Sequence, residues 1–200
     1  MDSSAKTNSY VYSKNDGEQL LKLARSSIAN KLGINIDLPK PSEIVAELQD
    51  EVFSNELGTF VTLHLNKKLR GCIGTLESTQ SVTEGIEQNA ISAAFHDPRF
   101  PSLTPKEFND IHIEVSILSK PVKLNYKNKE ELLSKLESGV HGVIIRKDGA
   151  RATFLPQVWQ QLPDKSLFLS NLCRKAGLSE NEWKTGSLEV MIYTVEYFEE

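Results

Sequence analysis

Apolar residues along this chain recur at two periods, and the switches between them mark its elements. Over residues 16–32 the spacing is helical: Leu20, Leu21, Leu23, Ala24, Ile28 and Leu32 form one stripe. Asp16, with Gln19 three residues on, reads as the capping box that starts this helix, and Gly33 as its stop. A proline-containing connector leads to a second helical stretch over residues 42–55. The period then falls to two in Thr59–Leu65, where β-branched and aromatic residues alternate as in a strand. With Asn66-Lys67-Lys68 as a turn, this run is the first arm of a hairpin whose second arm is Leu69-Arg70-Gly71-Cys72-Ile73-Gly74-Thr75.

The register of that hairpin decides which side chains share a face. A three-residue loop sets Leu65 opposite Leu69 and Leu63 opposite Gly71. Val61, Leu63, Leu65, Leu69 and Ile73 then form an apolar layer, and Thr62, His64, Arg70 and Cys72 the other face. A two-residue loop would turn Cys72 into the apolar layer instead. The first register buries five apolar residues together and is the expectation here.

Helical spacing returns over residues 81–95, with Ser81 and Glu84 as a capping box and Val82, Ile86, Ala90, Ala93 and Ala94 on one side. His96-Asp97-Pro98-Arg99-Phe100-Pro101 is a loop stiffened by two prolines. Thr104-Pro105-Lys106-Glu107 reads as the start of a short helix with proline at its first position. Ile111–Leu118 alternates, with His112, Glu114 and Ser116 on one side. Residues 128–136 read as a helix closed by Gly139, residues 140–146 and 151–155 as a hairpin around Lys147-Asp148-Gly149, residues 164–176 as a helix ending at Gly177, and residues 188–198 as one final strand. Helices and strands interleave without the spacing of a doubly wound sheet, which makes an α+β fold with mainly antiparallel sheets the expected class. No internal repeat or low-complexity tract is present.

Composition narrows the function. At 200 residues with 39% apolar and 25% charged positions, the chain matches a soluble globular domain. Residues 1–15 read as a flexible polar arm and residues 16–199 as one domain. Two cysteines provide no disulfide framework, so a reducing cytoplasm is the expected compartment. No stretch approaches the roughly 20 apolar residues of a membrane span, and the start lacks a signal-peptide core. A net charge of -4 argues against nucleic acid as a partner, because phosphate-driven binding relies on a basic surface.

The candidate chemistry gathers around Cys72. A thiolate is the reactive form of cysteine, and a cation beside it favours that form; Arg70, two residues away, is the candidate cation. His64 across the hairpin and His141 beside Gly142 are candidate bases. Glycine inside a strand marks a bulge or a close approach, so Gly71, Gly74 and the neighbouring Thr75 are candidate ligand contacts. Asp97 and Arg99 on the proline-stiffened loop either clamp an anionic group or cap neighbouring elements, and capping is the commoner use of a loop aspartate. His112 and Glu114 share a strand face, but two ligands make no metal site, and no HExxH or CxxC spacing occurs. The alternative for Cys72 is a small inert thiol in a tight strand, with Arg70 held in a salt bridge.

The motif Leu69-Arg70-Gly71-Cys72-Ile73-Gly74-Thr75 resembles the signature of the AMMECR-one domain family. Asp97-Pro98-Arg99-Phe100, Glu114-Val115-Ser116-Ile117-Leu118, Gly139-Val140-His141-Gly142, Phe154-Leu155-Pro156-Gln157-Val158 and Lys175-Ala176-Gly177-Leu178 extend the resemblance in order, as do Trp183 and Glu196-Tyr197-Phe198-Glu199. The segment Trp159-Gln160-Gln161-Leu162-Pro163 departs from the family pattern, lacking its acidic residues. The resemblance implies a two-lobed α+β protein with the motif near a cleft between the lobes, and a functional link to Memo-type and radical S-adenosylmethionine proteins. It names no reaction and no cofactor. The expected function is therefore an enzyme or small-ligand-binding protein using the motif for a small polar or anionic ligand, with Cys72, His141, Arg70 and Glu114 as candidate catalytic residues. The alternative is a non-catalytic adaptor or scaffold in which the motif is structural.

Overall fold

The computed structural model describes residues 12–35, 37–48, 51–77 and 79–200. Most of the expected arm lies outside the described residues. Its end does not: Tyr12 is 7% exposed, and its hydroxyl donates to the Val52 carbonyl oxygen. The described residues divide into two compact units, one running to Leu118 and including Glu196–Glu200, the other Ser119–Val195.

In the first unit, helix α1 spans Lys14–Leu32. Its cap is Ser13, one turn before the expected Asp16. The Ser13 hydroxyl accepts from the Asp16 N–H, and the Asp16 carboxylate reaches back to the Ser13 N–H at 2.7 Å. Asp16 therefore lies in the first turn, where a carboxylate favourably meets the helix dipole. Gly33 ends the helix at φ 68, a left-handed conformation that glycine adopts without strain. The expected stretch 42–55 is two pieces: helix α2, Pro41–Glu47, and a 3-10 turn at Glu51–Ser54. Strands β1, Thr59–Leu65, and β2, Lys68–Thr75, precede helix α3, Val82–Phe95, which begins with the expected Ser81–Glu84 box.

The expected helix after Thr104 is absent. Glu107 N–H bonds to Thr104 O and Asp110 N–H to Glu107 O, which makes successive turns without the four-residue ladder of a helix. Strand β3, Ile111–Leu118, runs as the alternation requires. Its inner residues Ile113 and Val115 join Val61 and Leu63 of β1 under α1 and α3, in a core that also buries Leu20, Leu23, Ile28 and Ile86.

The second unit holds strand β4, Val122–Lys123, helix α4, Lys129–Lys135, strands β5, Gly142–Lys147, and β6, Ala150–Phe154, and helix α5, Lys165–Lys175. Strand β7, Glu189–Tyr193, completes its sheet in the order β4-β7-β5-β6. The Asp148–Gly149 turn has positive φ at both residues, and Asn128 and Asp164, the first residues of the expected helical ranges, cap α4 and α5. Trp159 stacks on Phe168 with ring centroids 3.5 Å apart, in a core with Val143, Ile145 and Leu172.

The expected single strand over 188–198 is two strands in different sheets. β7 ends at Tyr193, and β8, Val195–Glu199, joins the first unit's sheet in the order β2-β1-β3-β8. Thr194 interrupts the ladder because Ser119 takes its main chain: Ser119 N–H donates to Thr194 O at 2.9 Å, and Thr194 N–H to Ser119 Oγ at 3.0 Å. Both units are thus sheets of four strands with packed helices, the α+β class expected from the pattern.

Candidate functional site

The β1–β2 hairpin turns on two residues, Asn66 at φ 52 and Lys67 at φ 61. That is the primed turn whose twist suits antiparallel strands. Leu65 therefore faces Lys68 and His64 faces Leu69, in place of the expected Leu65–Leu69 pair. The ladder then slips by one residue between Leu63 and His64, with Arg70 as the extra residue on β2. Beyond this bulge the expected register returns: Leu63 faces Gly71, Thr62 faces Cys72 and Val61 faces Ile73.

The bulge changes the assignments only near the turn. Leu69, expected in the apolar layer, is 41% exposed. Arg70, at 7% exposure, points its guanidinium to Glu107, with Nε to Oε1 at 2.9 Å and Nη2 to Oε2 at 3.2 Å. Those bonds hold the Glu107 carboxyl down at about 2 against the opposing effect of its burial, with the Thr104 main-chain and hydroxyl donors adding to the lowering. The cation placed at Cys72 is Arg99.

Cys72 is held from three directions. Its N–H donates to Asp97 Oδ2 at 2.9 Å, its carbonyl accepts from Arg99 Nη2 at 3.2 Å, and its sulfur accepts from Thr62 Oγ1 at 3.3 Å. Asp97 is 4% exposed and also accepts from Arg99 Nε at 2.9 Å, Nη2 at 2.7 Å and the Arg99 N–H at 3.1 Å. Arg99 holds the Asp97 carboxyl well below the usual carboxylate range despite its burial, with the Cys72 N–H assisting. Reciprocally, Asp97 raises the Arg99 guanidinium; burial opposes this, and charge on the Cys72 sulfur adds to the rise. Pro98 and Pro101 stiffen the loop after α3, and Phe100 N–H closes a turn onto Asp97 O at 3.1 Å.

Two glycines let this strand sit where it does. A Cβ at Gly71 would stand 2.1 Å from the Ala93 carbonyl oxygen of α3, and one at Gly74 would stand 2.1 Å from the Phe60 ring. Thr75 closes the strand opposite Thr59.

On the face opposite the core, three cross-strand rows run from β2 through β1 to β3: Leu69–His64–His112, Cys72–Thr62–Glu114 and Gly74–Phe60–Ser116. The middle row places a thiol, a hydroxyl and a carboxylate side by side. Ser116 Oγ donates to Glu114 Oε1 at 3.4 Å. His64 lies one row away and forms no hydrogen bond to Cys72 among the described residues. His141 belongs to the second unit, where it is 9% exposed. Its Nδ1 accepts the Glu137 N–H at 3.1 Å, so a neutral ring carries its proton on Nε2, and burial lowers its basicity. Among the described residues no three His, Cys, Asp or Glu side chains gather in a way that suits a metal ion.

Sequence reasoning reached Cys72, Asp97, Arg99 and Glu114 but not their joinery. Thr62 and Ser116 were legible as positions on the polar face, yet nothing marked them as partners of Cys72 and Glu114. Glu107 carried no signal that it would take Arg70.

The AMMECR1 family profile matches residues 21–198. The chain belongs to the AMMECR1 family. Relatives include MK0488 of Methanopyrus kandleri, 38% identical over 92% of this chain and 88% of its own length. MJ0810 of Methanocaldococcus jannaschii is 37% identical over 92% of this chain and 90% of its own length. The crystal structure of the uncharacterized protein PH0010 from Pyrococcus horikoshii superposes with a TM-score of 0.74 at 33% identity, covering 92% of this chain and 91% of that one. Among the described residues of this AMMECR1 protein, no helix is long and apolar enough to cross a membrane.

Proposed function

We propose that this AMMECR1 protein is an enzyme-type binder of a small polar ligand, with its site on the polar face of the first sheet around Cys72. The observation that carries this reading is the Asp97 carboxylate, which fixes the Cys72 main chain and the Arg99 guanidinium at once. A cation is thereby built beside a thiol whose sulfur also accepts a hydroxyl hydrogen bond. Cys72 serves as nucleophile or direct ligand contact, and Arg99 receives anionic charge in the role the sequence suggested for Arg70. Both cysteines are free thiols, which suits a reducing compartment such as the cytoplasm.

Alkylation of the folded protein tests this. Iodoacetamide should modify Cys72 and spare Cys173, which is fully buried and whose thiol is raised by desolvation. Negatively charged iodoacetate should gain from Arg99. Unit charges about 5 Å apart in a water-like dielectric attract by roughly 0.8 kcal/mol, so Arg99→Gln should lower the iodoacetate-to-iodoacetamide rate ratio about fourfold. An unreactive Cys72, or a ratio that Arg99→Gln leaves unchanged, refutes the reading. The adaptor reading would then stand, since Gly71, Gly74 and the Asp97 bonds also serve to lock the strand in place.

A further inference from the structure

Resting on that reading of the Cys72 face, we infer that its ligand is a small zwitterion with well-separated charges, of dipeptide length, carrying its carboxylate at Arg99 and its ammonium at Glu114. The two protein charges lie on opposite sides of the thiol. Arg99 reaches Cys72 from the free edge of β2; its side chain is 54% exposed, and its bonds to Asp97 and Cys72 use Nε and Nη2. The guanidinium lies over the Phe100 ring, and its Nη1 has no hydrogen-bond partner among the described residues, which leaves it available to an incoming acceptor.

Glu114 stands on the other side. It is half-buried, accepts only the long Ser116 hydrogen bond, and forms no ion pair among the described residues. A half-buried carboxylate without a cation attracts one, and with no group of three ligating side chains among the described residues the geometry favours an ammonium over a metal ion.

Spacing sets the length. Cys72 and Glu114 both pair with Thr62, one on each side, so their strands are two sheet spacings apart, roughly 10 Å. An extended dipeptide is roughly 7 Å long, and hydrogen-bond reach of about 3 Å at each end brings its span to about 13 Å, which covers that spacing and the further step to Arg99 at the outer edge of β2. A single α-amino acid, roughly half the dipeptide's length, spans no more than the strand spacing itself and falls short of Arg99 beyond it. The Phe60 ring, lying over Gly74 one row along, offers an apolar wall beside the ligand.

Glycylglycine, N-acetylglycylglycine and glycylglycinamide separate the two charges, with binding followed by calorimetry and by protection of Cys72 from iodoacetamide. Glycylglycine should bind best and protect Cys72. Glu114→Gln should weaken glycylglycine about tenfold yet leave N-acetylglycylglycine unchanged, and Arg99→Gln should weaken it similarly yet leave glycylglycinamide unchanged. Thermal melts confirm that each variant is folded. No binding of glycylglycine at millimolar concentration, or equal binding of all three probes, overturns the zwitterion. If Cys72 is nevertheless alkylated selectively with the Arg99-dependent ratio, the ligand class fails alone; if that labelling also fails, the site itself is wrong.

Discussion

Gly71 offers the sharpest test of the hairpin that carries Cys72. Its missing side chain faces the core, and a Cβ there would lie 2.1 Å from the Ala93 carbonyl oxygen. The obstacle is helix backbone, which cannot rotate away as a side chain does, so α3 must shift by more than an ångström. Overpacking of this kind costs about 1–3 kcal/mol, and the immovable neighbour places Gly71→Ala near the top of that range. Alanine also reduces the freedom of the unfolded chain, which offsets up to about 1 kcal/mol. The net loss of about 2 kcal/mol corresponds to a melting temperature lowered by about 4–8 °C for a chain of this size. Gly71→Asp adds an unpaired charge in the core, commonly several kcal/mol more, and should abolish cooperative folding. Lys67→Asp is the matched control: Lys67 is exposed on the turn at φ 61, a conformation aspartate tolerates, and the melt should move by no more than about a degree. Thermal melts by circular dichroism read all three. A Gly71→Ala protein melting within a degree of wild type would refute the Leu63–Gly71 pairing, and with it the position of Cys72 opposite Thr62.

Asp97→Ala should cost about 2–3 kcal/mol in urea denaturation, chiefly from the Cys72 and Arg99 N–H groups it leaves unpaired, since the half-exposed Arg99 guanidinium can return to water. A loss below about 0.5 kcal/mol would show that the loop does not hold the strand. Glu107 predicts an acid limb: its carboxyl titrates at about 2 when folded against 4.5 ordinarily, so its contribution is complete above pH 4.5 and is lost as pH falls towards 2. Glu107→Gln should flatten stability against pH in that window, and a limb of unchanged slope would disprove the Arg70–Glu107 pairing.

Much of this fold was legible because it is written in local patterns. Ser81 and Glu84 announced α3, and the alternation of Ile111–Leu118 announced β3 with Glu114 on the polar side. The register of β2 was reached by two errors that cancel. A three-residue loop was expected where the chain uses two residues and a bulge, and each arrangement places one extra residue before Gly71. Cys72 therefore faced the expected way, while Leu69 and Arg70, inside the discrepancy, did not. The pairs that went unseen are remote in sequence. Arg70 and Glu107 are 37 residues apart, and Ser119 and Thr194, which divide the last alternating run into β7 and β8, are 75 apart. No local periodicity encodes such contacts.

The position of β2 at the edge of its sheet ties these features together. Cys72 turns its N–H and carbonyl outward, away from β1, where an exposed edge would invite pairing with another chain. Asp97 and Arg99 occupy both groups and so perform the hydrogen bonding of an absent neighbouring strand. A central strand leaves no such opening, because the next strand consumes both main-chain groups. Only at an edge can a side-chain carboxylate bind the cysteine main chain and draw an arginine to the thiol in the same contact. Closing the edge and placing a cation beside Cys72 are therefore one structural act, which is why replacing Asp97 should disturb the folding of β2 and the reactivity of its thiol together.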